Sequence, residues 1–293
     1  MSRQRGTALV MAMLVVAISV LLVSAAFERQ SVMARQVENE VAYAQARMLL
    51  TGAVDWARVI LREDARTSAV DHLAEPWAVG LEQTRLENDG GDPAYIAGAM
   101  RDAQGRFNLR NVSGPNGPIA SEVAVLGRLL EIAGGNASLA QPLAARVHAA
   151  MSPQSEPGVL PGTVDEIRLD DPALKEAMAR LRPFVSLLPE PSTINVNTAP
   201  AEVLAARFTN LSLADARALV SSRDGAYFRD VSDFMNRIPG MQLEGGQGQT
   251  SVDTQYFLLE GTVEFRRVHV EAHVLLKREA GRVEVVWMRD GAA

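Results

Sequence analysis

The sequence predicts an α+β protein. One long N-terminal helix lies on a small antiparallel sheet, and a large all-helical block is inserted into that sheet domain. Three observations lead there. An uncharged apolar run passes without a proline into a helical stripe. Strand-like segments stand on both sides of a long stretch that carries only helical patterning. The first strand group is too short to stand alone, so it needs partners from the end of the chain, which favours an insertion over two domains in series.

At 293 residues the chain holds one large domain or two modest ones with real cores. Its 47% hydrophobic and 22% charged residues are those of a globular protein, not a disordered one. A net charge of −6 argues against binding driven by general phosphate attraction. With no cysteine, disulfides, thiol nucleophiles and thiolate metal sites are excluded.

The opening "MSRQRGTALVMAMLVVAISVLLVSAAFERQ" sets Arg3 and Arg5 before Gly6, and residues 8–27 carry no charge. At about 1.5 Å per residue that run spans roughly 30 Å, the thickness of a hydrocarbon core. The two arginines keep the start of the chain cytoplasmic and place the residues beyond Phe27 outside the inner membrane. A cleaved secretion signal is the competing reading, with Val23-Ser24-Ala25 as its small-x-small site. Such a signal ends in a loop that a peptidase enters. Here residues 31–61 contain no proline, and only Gly52 interrupts good helix formers. Val37, Val41, Ala44 and Met48 recur at spacings of four and three, and Val54, Ala57 and Leu61 carry a similar stripe onward. One helix is expected from about residue 7 to near residue 61, its first half in lipid and its second half packed on a soluble domain.

Beyond it, Glu75-Pro76-Trp77 marks a break and "ENDGGDP" a turn. "AYIAGAMRD" and "GRFNLRNV" read as a hairpin turning at residues 103–105. In the helical block, "SEVAVLGRLLEIAGG" offers Ser121 as a cap, a Val125/Leu129/Ile132 face, and Gly134-Gly135 as a stop. "TVDEIRL" comes next, then "DPALKEAMARLRPFV" with Asp171-Pro172 in the cap and first-turn positions. In "INVNTAPAEVLAARF", Asn197 or Thr198 caps a helix beginning near Pro200. "SLADARALVSSR" and "DVSDFMNRIPG" add two more helices, capped by Ser212 and by Asp230 or Ser232. "TQYFLLEGTVEF", "RVHVEAHVLLKRE" and "RVEVVWMRD" are strands, with a final turn at Glu279-Ala280-Gly281.

A short basic leader ending in Gly6, then an apolar helix that turns amphipathic, resembles a type IV pilin or a type II secretion pseudopilin. The K-type minor pseudopilins are matched further by "GRFNLRN", "TVDEIRL" and above all "INVNTAP". The resemblance implies a type IV pilin-like helix on an antiparallel sheet, carrying a large helical insert. It divides the chain into a leader (1–6), the long helix (7–62, with 8–27 transmembrane), an α+β domain (63–110 and 249–293) and the insert (111–248). It implies that prepilin peptidase cuts between Gly6 and Thr7, and that Thr7 is then N-methylated. Relatives carry glutamate at the fifth mature position, which here is Met11. An unpaired carboxylate in a bilayer is costly and needs a partner, so a subunit lacking it fits the tip of the filament. The implied role is to nucleate or cap a pseudopilus that exports folded proteins across the outer membrane, with no catalysis. Implied partners are the I-, J- and H-type pseudopilins, docked helix to helix along the stripe from Val37 to Leu61, and also the secretin or exoprotein cargo. The implied location is the bacterial inner membrane, single-pass, with the C-terminal domain in the periplasm.

"INVNTAPAEVL" also resembles the opening of helix–hairpin–helix modules, so a membrane-anchored DNA-binding protein is the alternative. Such modules hold phosphate on glycine-rich backbone backed by basic residues. Here Asn210, Leu211 and Ser212 replace the glycines. Arg207, Arg217, Arg223, Arg229 and Arg237 are matched by Glu202, Asp215, Asp224, Asp230 and Asp233, so nucleic acid is not expected as a partner. No GxSxG, HExxH or phosphate-loop motif points to an enzyme, and His72 and His148 have no obvious catalytic partner in sequence. His269, Glu271 and His273 share one strand face and suggest a metal site. They read equally as the wet face opposite Val268, Val270, Ala272 and Val274, and no metal is assigned. K-type relatives bind calcium through acidic loop residues of the insert. The matching stretch "HAAMSPQSEPGVLPG" carries only Glu156 as an acid, whereas a hard cation needs several oxygen ligands. Asp165, Asp170 and Asp171 are nearby alternatives that capping and solvation explain as well, so no cofactor is certain.

Overall fold

The computed structural model describes residues 4–87, 91–151, 160–238 and 249–291, with side chains from Leu9 onward. Helix α1 runs unbroken from Gln4 to Thr67, 64 residues. It is followed by β1 (Leu81–Leu86), β2 (Ala94–Asp102) and three short strands, β3 (Phe107–Asn108), β4 (Ser113–Gly114) and β5 (Gly117–Pro118). The helical region holds α2 (Ala120–Ile132), α3 (Ala140–Met151) and α4 (Pro172–Leu181), then β6 (Val185–Ser186) and β7 (Ile194–Asn195). Next come α5 (Ala201–Arg207), α6 (Leu213–Gly225), α7 (Val231–Asn236) and β8 (Thr250–Ser251). The chain closes with β9 (Tyr256–Phe265), β10 (Val268–Glu279) and β11 (Arg282–Asp290).

The main sheet is antiparallel throughout, in the order β1-β2-β9-β10-β11. Strands from the end of the chain pair with β2 from its first third, with Asp102 opposite Phe257 and Ala94 opposite Phe265. Alternation places Phe257, Leu259, Val263 and Phe265 of β9, and Val270, Ala272, Val274 and Leu276 of β10, on the buried face. Helix α1 covers that face with Ala42, Ala46, Leu50, Val54, Ala57 and Leu61, at helical spacing. Each fully buried leucine or valine there contributes about 1.5–3 kcal/mol. Close approach depends on Gly261, where a Cβ would lie 3.2 Å from Leu50 Cδ1. Trp77, in a 3₁₀ turn, closes one end of this core. Its ring meets Phe257 edge-on at 5.1 Å, and its Nε1 donates to Glu75 at 2.8 Å.

A second core, running from Phe107 to Phe234, is built mainly by the helical region, with Phe107 and Leu109 entering from the segment after β2 and Val252 packed against it. Asp171 caps α4, accepting from Ala173 N at 2.8 Å with proline at the first turn. Ser212 caps α6 and Asp230 caps α7, as the sequence predicts. Gly134 ends α2 in the left-handed region at φ 75°. Two caps fall elsewhere. Helix α2 begins at Ala120 behind Ile119, with no side-chain cap, and α5 begins behind Pro200.

Two expectations are corrected. The hairpin of "AYIAGAMRD" with "GRFNLRNV" does not form. Phe107, Leu109 and Val112 are fully buried in the helical core, and β3 pairs in parallel with β6 instead. The partners of β2 are β9 and β1, the second of which has no counterpart among the expected strands. The stripe of Val37, Val41, Ala44 and Met48 does not pack on the soluble domain. At about 100° per residue it falls opposite the Ala42/Ala46/Leu50 face, and Met48 is 75% exposed.

Candidate functional site: an unpartnered apolar helix and the seam between two cores

Residues 9–41 of α1 are all exposed. The most apolar window of the helix has a mean hydropathy of 2.8 with none of it buried, long and apolar enough to cross a membrane. Ser19, the polar side chain midway along this stretch, returns its hydroxyl to Val15 O at 2.8 Å, so it presents no free donor. Gly6 and Thr7 lie in the first turns of the helix, and Met11, 71% exposed, one turn further on.

The other end of α1 leads into a buried polar seam where the sheet meets the helical core. Asp102, ending β2, accepts four side-chain or backbone donors: Gln104 N (2.7 Å), Thr254 Oγ1 (2.7 Å), Asn195 Nδ2 (2.9 Å) and Thr198 Oγ1 (2.5 Å). Burial raises its pKa against the pull of those donors. Asn195 also donates to Asp71 O at 3.1 Å and accepts from Asn197 N at 2.9 Å. Asn197 makes a reciprocal pair with Phe228, donating at 2.9 Å and accepting at 2.8 Å, which pins the entry of α5 to the segment before α7. The "INVNTAP" residues expected to cap a helix instead cross-link three parts of the chain. Gly105 is required beside them, because a Cβ there would sit 2.8 Å from Thr198 Oγ1.

"GRFNLRN" works the same way. Asn108 donates to Glu190 O and accepts from Leu188 N, at 2.9 and 3.1 Å. Asn111 donates to Ser192 O and accepts from Ser192 N, at 2.9 and 3.0 Å. Together they clamp the segment that leads into β7.

Next to the seam, Asp64, Asp71 and Glu75 bring carboxylate oxygens within 4.8 Å of one another, which sequence reasoning missed. Arg278 already supplies the positive charge, donating to Asp64 at 2.7 Å and to Asp71 at 2.6 Å. Glu75 accepts from His72 N and Trp77 Nε1. Burial pushes Asp71 up to about 7 and raises Asp64, because one guanidinium serves several desolvated acids. Asp71 and Asp64 in turn hold Arg278 above its ordinary value, against the effect of burial.

The five arginines of the helix–hairpin–helix-like stretch are turned inward or paired. Arg207 Nη1 meets both Glu122 oxygens at 2.8 and 3.0 Å, with both side chains 1% exposed. Arg223 donates to Val196 O and Ala199 O at 2.7 and 2.6 Å, and burial lowers its pKa to about 10. Arg237 and Arg229 share Asp233, and Arg217 pairs with Glu202. Arg207 and Arg223 are thus buried in the fold, each of the exposed Arg217 and Arg229 stands beside an acid, and nothing supports the DNA-binding alternative.

His269 pairs with Glu264 and His273 with Glu271, so the three residues of that strand face do not converge. For calcium, Glu156 lies outside the described residues. Asp165 pairs with Arg182, Asp170 with Arg146, and Asp171 caps α4, so the acids described nearby do not fit a hard cation.

A long helix whose far half is the spine of an antiparallel sheet, and whose near half is a bare apolar rod, defines a pilin-like subunit. The fold is shared with a chain of the crystal structure of the GspK-GspI-GspJ complex from the enterotoxigenic Escherichia coli type 2 secretion system. That likeness has a TM-score of 0.70 at 23% identity, over 88% of this chain and all of that one. The family described as type II secretion system (T2SS), protein K matches residues 194–255, which contribute Asn195, Thr198 and Thr254 to the seam and include the buried Arg207 and Arg223. Type II secretion system protein K of Pseudomonas aeruginosa is 30% identical over 97% of this chain and 92% of its own. That of Klebsiella pneumoniae is 29% identical over 99% and 97%. The chain belongs to the type II secretion system protein K family and is a minor pseudopilin, a structural subunit of that system.

Proposed function

We propose that this pseudopilin sits at the tip of the type II secretion pseudopilus and nucleates or caps the filament that exports folded proteins across the outer membrane. The observation that carries the reading is α1, one continuous helix whose apolar half has no packing partner among the described residues. Cleavage by prepilin peptidase between Gly6 and Thr7 would leave an N-methylated Thr7 at the head of that rod. Residues 8–27 would then cross the inner membrane once, with the C-terminal domain in the periplasm. Met11 places a thioether where a carboxylate would otherwise have to find a partner in lipid, so no subunit needs to stack beyond it. In membranes helices associate by close van der Waals fit. Residues 8–27 supply that fit within the membrane, and beyond them the exposed stripe of Val37, Val41, Ala44 and Met48 offers an apolar face to I-, J- and H-type pseudopilins. The fold shared with a GspK-GspI-GspJ complex chain supports the I- and J-type partners. Residues 111–248, carried by 63–110 and 249–293, would project from the filament end toward secretin or cargo. Mass spectrometry of the chain recovered from membranes tests the reading. A methylated Thr7 is expected, and Gly6→Leu should retain the leader and stop secretion. A chain beginning at Ala26 and free in the periplasm would overturn it.

A further inference from the structure

Two side chains of "GRFNLRN" have no part in the clamp or the core: Arg110, which donates to Met151 O at 3.5 Å, and Arg106. Arg106 lines an open cleft of about 370 Å³ at the meeting of the two cores, together with Arg101, Leu73, Met100, Pro183 and Pro200. It is half-buried, and among the described residues it makes no hydrogen bond or ion pair. Burial and the like charge of Arg101 both hold its pKa below the ordinary value, with Glu260 acting weakly the other way. The Glu260 carboxylate is engaged by Arg101 at 3.3 Å. Asp102, in the wall of the same cleft, is saturated by its four donors. Two guanidinium groups thus line the cleft, while Glu260, which lies outside its lining, is already paired with Arg101; a partly desolvated cation without a counter-charge of its own is unfavourable.

We propose that this cleft binds an acidic side chain presented by a protein partner, its carboxylate held by Arg106 and its aliphatic neighbours resting on Leu73, Met100, Pro183 and Pro200. A guanidinium fork matches a carboxylate in two parallel hydrogen bonds. The apolar walls favour a peptide, because a hydrated inorganic anion gains nothing from them. The site lies at the lobe junction, away from the exposed stripe of α1, and does not depend on the placement of the chain at the tip.

The test titrates the purified full chain in detergent micelles with acetyl-Leu-Glu-Leu-amide and with its glutamine counterpart, by calorimetry and by the arginine Nε–H resonances. The glutamate peptide should bind, and the glutamine peptide should bind about tenfold more weakly or worse. Arg106→Gln should lose the same factor without a fall in melting temperature, and Arg106→Lys should be intermediate. Equal affinity for the two peptides, no binding of either, or undiminished binding to Arg106→Gln would overturn the proposal. Sodium acetate competing as well as the peptide would also overturn it, by assigning the cleft to a free anion. The peptide comparison is made on the unaltered chain, so it decides even if a variant misfolds.

Discussion

Replacing Arg207 by methionine distinguishes arginines that hold the fold from arginines that face a ligand. The Arg207–Glu122 contact, at 2.8 and 3.0 Å with 1% exposure on each side, ties α5 to α2 inside the helical core. Removing the cation strands a carboxylate that has no water to reach. Breaking one partner of such a pair costs about 3–5 kcal/mol, a large share of the roughly 5–15 kcal/mol that holds a domain folded. Exchanging both partners for apolar residues is often neutral, so Glu122→Leu with Arg207→Met should recover most of the loss. Hydrogen exchange on the full chain in micelles, resolved to α2 and α5, measures the effect where it occurs. A loss below about 1 kcal/mol, or a double variant no better than the single one, would refute the structural role. It would return Arg207 to the ligand-facing reading.

Gly105→Ala should destabilise by about 1–3 kcal/mol, because its Cβ meets Thr198 Oγ1 at 2.8 Å and Thr198 backbone at 3.2 Å. Gly225→Ala, with open space at the same atom, should be neutral or stabilising by about 0.4–1 kcal/mol; thermal unfolding of the pair measures the contrast. Thr198→Val keeps the shape but takes one donor from Asp102, and should cost about 1–3 kcal/mol in denaturant unfolding. Asp71 is held at about 7 in the fold, against about 3.9 in an unfolded chain. The folded state thus binds its proton more tightly. Its contribution is fully present below the unfolded value and is lost as pH rises through 7. The stability of wild type relative to Asp71→Asn should therefore fall from pH 4 to pH 8, and a rise over that range would show the wrong sign.

Periodic features are legible in the sequence. The unbroken α1, the β9–β11 meander and the caps at Asp171, Ser212 and Asp230 all follow from spacing and local hydrogen-bonding chemistry. The packing face of α1 is legible only in part: Val54, Ala57 and Leu61 lie on it as their spacing predicts, but nearer the apolar half the sheet is met by small residues, Ala42 and Ala46, while the larger Val37, Val41 and Met48 stay outside. In that stretch apolar size marks the wrong side of the helix. β3 resembles half of a hairpin because two residues of strand carry no period, and its partner β6 lies beyond three helices. The seam has no local signature, being assembled from Asp71, Asp102, Asn195, Thr254 and Arg278. "INVNTAP" stands out as a motif, but the role of its side chains depends on residues far away in the chain. For Arg106, only the position within "GRFNLRN" is visible without the fold.

The pairing of β2 with β9 has a bearing on how the protein is made. Synthesis delivers β2 long before β9, so the Leu50 and Leu61 side of α1 waits uncovered while the middle of the polypeptide is still being made. The helical core, whose contacts are mostly nearer in sequence, is free to condense first. The newborn subunit thus passes through a stage in which the long helix shows a second greasy side besides its bare apolar run. Its last three strands are what retire the second side, so a stop codon that removes them should yield a product prone to clump with its neighbours.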